Sequence, residues 1–180
     1  MWELKDPNPV KLIVGILAAG EQCLPPAHNA LTAQFGPTDL QSDIWPFDQT
    51  DYYKKQTGNS IFRQFLSFER LIDPGVLAEI KLATNQIEQD LAQALDLTLP
   101  RPVNLDPGLI EPSKLVLATT KNYSHRIYIG KRMFAEVTLT FDKGKWKPFD
   151  YTYADYKLPH YHAFFSRVRE QLLCQRRSQQ

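Results

Sequence analysis

"IFRQFLSFERLIDPGVLAEIKLATNQIEQDLAQAL", residues 61–95, carries both periods of secondary structure in one run. Residues 60–72 read as a long, largely apolar strand, and Asp73-Pro74-Gly75 as a turn. Over 75–95 the period changes: Val76, Ile80, Ile87, Leu91 and Leu95 recur at three and four, which gives one apolar stripe on a helix. A strand turning directly into an amphipathic helix is half of a layered α+β unit. Upstream, "VKLIVGILAA" at 10–19 reads as a buried strand, a helix follows within 21–35 with Pro25 and Pro26 in its first turn, and a strand covers about 39–47. Downstream, "PRPVNLDPGLIEP" at 100–112 reads as a strand containing a second Asp-Pro-Gly turn. The resulting order, β-α-β-β-α-β, predicts an α+β fold with a ferredoxin-like core, two helices covering one face of an antiparallel sheet.

Residues 114–120, "KLVLATT", fit a strand or a helical turn. A hairpin then spans 121–141, a short strand 145–150, and an amphipathic helix about 159–176. The hairpin and terminal helix extend the sheet or cap its open face, in a single domain over 1–180 whose core runs from 10 to 156.

With 180 residues, 43% of them apolar, the chain can bury one sizeable core. Its 21 basic and 20 acidic residues leave no broad positive field for nonspecific phosphate binding, so any anion site has to be local. Cys23 and Cys174 fit reduced thiols better than a disulfide framework. The apolar run at 12–20 is too short to span a bilayer, and the acidic, proline-broken segment before it is unlike a signal peptide, so the expectation is a soluble cytoplasmic protein without membrane contact.

Three polar constellations stand out. In the hairpin "KNYSHRIYIGKRMFAEVTLTF" (121–141), Met133, Ala135, Val137, Leu139 and Phe141 form one face, expected to be core, and Glu136 lies on the other. A three-residue loop at 130–132 puts Arg126 opposite Glu136, an ion pair; a two-residue loop puts His125 there, an acid/base pair. On the long helix, Lys81, Asn85 and Glu88 form a polar stripe at the rim of the buried face. The loops "FDQTDYYKK" and "VNLDPG" contribute Asp51 and Tyr53, and Asn104 and Asp106. His160 and His162 point to different faces of a helix with no accompanying ligand cluster, so no metal is expected. No G-x-x-x-x-G-K-[ST] occurs, which argues against a P-loop nucleotide site, and no other cofactor motif is present.

The blocks "PFDQTDYY", "SFERLI", "IKLATNQIE", "RPVNLDPG", "LVLATTKNYSHRIYI", "FAEVTLTF" and "YTYADY" resemble an uncharacterised bacterial and archaeal family catalogued as a domain of unknown function, over about 10–156. The resemblance implies a polar signature at Thr50, Asp51, Tyr52, Tyr53, Lys81, Thr84, Asn85, Asn104, Asp106, Lys121, His125, Arg126 and Glu136. "YTYADY" departs from the pattern, which has tryptophan first and proline in place of Ala154; this implies a different setting of loop 151–156.

Two function classes remain. In the first, Lys81, Lys121 and Arg126 hold an anionic small molecule bearing phosphate or carboxylate, Asn85 and Asn104 orient it, Asp106, Asp51 and Tyr53 are further ligand-binding candidates, and His125 or Glu136 moves a proton. In the second, the same residues form a recognition surface for RNA or a protein partner. Convergence in one concave pocket favours the first; spread over a flat face favours the second.

Overall fold

The computed structural model describes residues 2–48, 54–58 and 60–178, with the backbone alone for Lys54 and Lys55. Asp51 and Tyr53, with Thr50 and Tyr52, lie outside the described residues. The fold is α+β. Strand β1 (Val10–Ala18) is buried at every position. Helix α1 (Leu24–Phe35) has prolines in its first turn, where no N–H is needed. The expected strand at 39–47 is split into β2 (Thr38–Gln41) and β3 (Trp45–Pro46). Between them the Ser42 hydroxyl, rather than a ladder carbonyl, accepts the Phe65 N–H at 2.9 Å. A single turn, α2 (Lys54–Thr57), precedes β4 (Phe62–Ile72) and α3 (Leu77–Ala94). Then come β5 (Val103–Ile110), β6 (Lys114–Thr119), β7 (Ile127–Gly130), β8 (Met133–Asp142), β9 (Lys145–Pro148) and α4 (Pro159–Arg177). "KLVLATT" is thus a strand.

These strands form one sheet in the order β2-β4-β1-β5-β6-β8-β7, with β3 added to β4 and β9 to β8. Every pairing is antiparallel. At nine strands among the described residues it is larger than the four-stranded core expected from the element order. Alternation along β1 sends Leu12, Val14, Ile16 and Ala18 to one face, where they pack with Leu24, Ala27 and Leu31 of α1 and Ile80, Ile87 and Leu91 of α3. On the other face, Ile13, Phe65, Ile110, Leu115, Leu117 and Leu139 pack under Tyr161, Phe164, Phe165 and Val168 of α4. The terminal helix therefore closes the face that α1 and α3 leave open, and each large apolar side chain so buried contributes about 1.5–3 kcal/mol.

The two Asp-Pro-Gly triplets behave differently. Asp73 caps a turn before α3, its carboxylate accepting the Gly75 N–H at 2.6 Å. Asp106-Pro107-Gly108 is not a turn; it runs straight through β5. Beyond Gly108↔Leu117, Val116 and Leu115 continue the β5–β6 ladder toward Ile110, whereas residues 103–107 have β1 as their one strand neighbour among the described residues. Pro107 lacks an N–H on the edge that has no partner strand, so nothing is lost there. Gly108 sits where the two strands converge: a Cβ would lie 2.7 Å from the Val116 carbonyl oxygen.

The open edge of β5 needs partners for its backbone, since a buried, unpaired amide is costly. Side chains of α3 provide them. Lys81 Nζ donates to Leu105 O at 2.7 Å, and the Leu105 N–H donates to Glu88 Oε1 at 2.7 Å. Lys81 and Glu88 are consequently buried, at 4% and 7% exposure, and not at a solvated rim as their helical position suggests.

The hairpin register also departs from simple alternation. Leu115 pairs with Leu139 and Val116 with Val137, leaving Thr138 as a bulge. The bulge divides the expected core face: Ala135 packs with Val10, Leu77, Leu109 and Ala118, while Leu139 and Phe141 pack under α4. Glu136, opposite Leu117, is thereby turned inward and buried.

Two variants check this account. Gly108→Ala should lower unfolding free energy by about 1–3 kcal/mol in urea, since its Cβ meets backbone; an unchanged midpoint would refute the close approach. Lys81→Ala should cost about 1.5–3 kcal/mol by orphaning the Leu105 carbonyl and Glu88, whereas a surface lysine would cost almost nothing.

Candidate functional site

Where β5 and β6 part, a cavity of about 500 Å³ opens through the edge of the sheet. From the α3 side it is lined by Lys81, Asn85 and Arg101, and from β4 and β5 by Arg63, Asn104 and Asp106. Residues 117–121 and 123, followed by His125, Arg126 and Glu136, form the opposite wall, and residues 151 and 153–156 close one side. Lys81, Asn85, Asn104, Asp106, Lys121, His125, Arg126 and Glu136, scattered over 56 positions in sequence, thus share one concavity.

The wall formed by β8 is organised by Glu136. Its Oε2 accepts from Arg126 Nε at 2.9 Å and lies 3.0 Å from His125 Nε2. Thr138 donates to Oε1 at 3.2 Å. The two registers weighed for the hairpin were alternatives for a straight ladder, and the structure satisfies both contacts. Ile127 pairs with Ala135, which brings 126 toward 136. Residues 121–126 then curl back, with Arg126 N bonded to Tyr123 O. The turn itself is Lys131-Arg132, both at positive φ, and a bulge between Tyr128 and Gly130 absorbs the extra residue.

Arg126 is a clamp. Its Nη1 donates to Lys121 O at 3.0 Å, its Nη2 to the Tyr153 hydroxyl at 2.8 Å, and its guanidinium lies over the Tyr123 ring. With the guanidinium thus engaged, Arg126 positions the two loops around Glu136 more than it offers donors to a ligand. Burial opposes its charge, but Glu136 and Tyr153 more than offset this and hold its pKa above the ordinary value. His125 is held by stacking on Tyr151, with ring centroids 4.1 Å apart and planes 8° off parallel. Tyr123 stacks at 5.9 Å and Phe149 continues the column behind Tyr151. Loop 151–156 is pinned to the bulge: Tyr151 OH donates to Val137 O at 2.9 Å and Thr152 Oγ1 to Thr138 O at 2.6 Å.

The opposite wall centres on Arg63. It is 2% exposed, with Nη1 donating to Asp106 at 3.3 Å and Nη2 to Asp155 at 3.0 Å. Gly15, across the ladder, leaves room for it; a Cβ there would lie 2.8 Å from Nη1. Burial pushes the Asp106 carboxyl up, yet the Lys81 and Arg63 charges and the Asn104 amide outweigh it, so Asp106 lies below the ordinary carboxylate value. For Asp155 and Glu88 burial dominates the cations beside them, and both carboxyls are raised. Arg101 Nε donates to Glu88 at 2.8 Å, so Lys81 and Arg101 share that carboxylate.

Arg63, Arg101, Asp155 and Tyr156 were not singled out from the sequence as site residues. Arg63 carried a signal: an arginine in "IFRQFLSF" on the same face as Phe65 has to be buried and paired. Arg101, Asp155 and Tyr156 fell inside the family blocks but carried no pattern of their own. Among the described residues, no group of three or more His, Cys, Asp or Glu is placed to hold a metal ion. No described helix is long and apolar enough to cross a membrane.

No curated protein and no solved structure matches the chain. A family model described as "Domain of unknown function (DUF4416)" matches residues 8–172, nearly the whole length. The chain belongs to that family of uncharacterised domains.

Proposed function

We propose that the cavity binds a small anionic molecule bearing phosphate or carboxylate, and that His125, oriented by Glu136, exchanges a proton with it. One observation carries this reading. Among the described residues, five cationic side chains, Arg63, Lys81, Arg101, Lys121 and Arg126, line one concave space of about 500 Å³ with three carboxylates, Asp106, Glu136 and Asp155. A chain of near-neutral net charge has gathered these cations around one concave space. Asn85 and Asn104 supply neutral polar groups to orient it. Because His125 Nε2 faces Glu136, Nδ1 is the nitrogen left to take or give a proton.

The fold assignment and setting extend the proposal. The order β2-β4-β1-β5 with α1 and α3 on one face supports a ferredoxin-like core, to which β6–β9 and α4 are additions. Free Cys23 and Cys174 support a reducing, cytoplasmic setting. The competing reading, a module for RNA or a protein, draws on Ile127 and Tyr128 of β7, which are 71% and 60% exposed. The concave shape of the cavity favours the small molecule.

A thermal-shift screen with inorganic phosphate, pyrophosphate and small mono- and dicarboxylates checks the binding claim, since a ligand at about 100 times its Kd stabilises by about 2.7 kcal/mol. Flat melting curves throughout would favour the macromolecular reading. For the anion that binds, Lys121→Ala should weaken affinity by about 1.5 kcal/mol or more if the ammonium contacts it. Calorimetry in buffers of different ionisation enthalpy should reveal proton uptake or release on binding that disappears in His125→Gln. Linkage unchanged in that variant would remove His125 from the proton path.

A further inference from the structure

His125 stands on the segment between β6 and β7, where residues 120–126 form no helix or strand, so its ring is placed by side-chain contacts and not by a ladder. One of these is the hydrogen bond between Nε2 and Glu136 Oε2 at 3.0 Å. Glu136 is itself fixed, accepting from Arg126 Nε at 2.9 Å and from Thr138 at 3.2 Å. A carboxylate only accepts, so Nε2 supplies the proton of the contact.

That bond holds one atom and leaves the plane of the ring loose. The torsion that turns an imidazole about its Cβ–Cγ bond has broad minima. Nδ1 lies farther from this axis than Nε2 does, so a turn displaces Nδ1 more than it displaces the bonded nitrogen. Nδ1 is the nitrogen left for proton exchange, and its direction needs a second restraint.

Tyr151 provides one. Its ring lies against the imidazole with centroids 4.1 Å apart and planes 8° from parallel, so a turn of the imidazole would drive one of its edges into the tyrosine. Tyr123, at 5.9 Å and inclined by 30°, makes a looser contact. Tyr151 is tied down in turn: its hydroxyl donates to Val137 O at 2.9 Å and Phe149 stacks on it at 5.0 Å. The next residue, Thr152, donates to Thr138 O at 2.6 Å and accepts the Phe149 N–H at 2.9 Å. Val137 and Thr138 belong to the bulge that turns Glu136 inward. The acceptor of the imidazole and the ring stacked on it are thus referred to the same two residues of β8.

We infer that Tyr151 is the positioning residue of the proton-exchanging histidine: Glu136 holds Nε2, the Tyr151 ring fixes the plane of the imidazole, and Nδ1 meets the ligand edge-on. The inference rests on the reading of His125 given above and adds the residue that orients it. Among the described residues, the other titratable or charged groups against His125 or its carboxylate are Glu136 on β8 and Tyr123 and Arg126 on its own segment.

The test uses the full chain and two measurements. The first is ¹³C relaxation of the histidine ring carbons in the unliganded protein, with the His125 signals assigned by their loss in His125→Gln. Tyr151→Phe keeps the stacked ring and should leave the order of the imidazole unchanged, whereas Tyr151→Leu should lower it. The second is calorimetry with inorganic phosphate, pyrophosphate and succinate, in buffers of different ionisation enthalpy and at saturation, so that the proton number is read apart from affinity. For the anion that binds, the number of protons exchanged should fall to half or less in Tyr151→Leu and stay at the wild-type value in Tyr151→Phe. Should Tyr151→Leu not fold, Tyr151→Met removes the flat ring with an unbranched side chain. Wild-type proton exchange retained in the Leu or Met variant, with or without a loosened ring, would overturn the positioning role and leave His125 standing. An imidazole as ordered without the Tyr151 ring as with it would do the same. No binding by any of the three anions, or a proton number unaffected by His125→Gln, would overturn the underlying reading and the inference with it.

Discussion

The parting of β5 from β6 beyond Gly108 is the constraint from which the site follows. A strand that loses its neighbour inside a protein leaves amides and carbonyls facing no partner, and water cannot reach them freely. Here the replacement comes from a helix: Lys81 and Glu88 bond the carbonyl and amide of Leu105 from above. Two charged side chains seven residues apart on α3 must then point at one residue of β5, which fixes both the rotation of the helix and its position along the strand. The cavity lies where β5 and β6 part.

A second local irregularity faces the first. The bulge at Thr138 turns Glu136 inward and frees carbonyls that loop 151–152 takes up through Tyr151 and Thr152. Glu136 in turn gathers His125 and Arg126, and Arg126 ties down Lys121 and Tyr153. Walls from three distant segments are thus held by one carboxylate and one guanidinium.

This concentration of charge has an energetic cost. Arg63, Glu136, Glu88 and Lys81 are all nearly excluded from solvent, and buried ion pairs often contribute less than apolar side chains of the same volume. Burial raises the carboxyls of Glu88 and Asp155 despite their cationic neighbours, in keeping with that cost. The apolar layers under α1, α3 and α4 offset it. Many ionisable groups are thus gathered around one concave space, and the Tyr156 hydroxyl and Arg63 Nε have no hydrogen-bond partner among the described residues.

The sequence by itself determined whatever depends on neighbours along the chain. The period-two runs and the three-and-four stripe of α3 gave the strands and helices in order, because alternation and helical repeat are local geometry. The polar residues of the hairpin, of α3 and of "VNLDPG" were legible as a set, since polar side chains on elements that also carry a core face need partners. Only the tertiary structure decided how they meet. Asp106-Pro107-Gly108 has the chemistry of a turn, yet it is a strand because β1 pairs along its whole length and β6 meets it at Gly108. Lys81 and Glu88 have the position of a helix rim, yet they are buried because β6 leaves Leu105 unpaired. Met133 through Phe141 alternate as one face until a bulge, set by pairing with β6, divides them. Arg63 becomes a site residue only when Gly15 on the adjacent strand leaves space for it. In each case the deciding contact joins residues far apart in the chain, and no local pattern encodes which strand a given edge will face or where a ladder will stop.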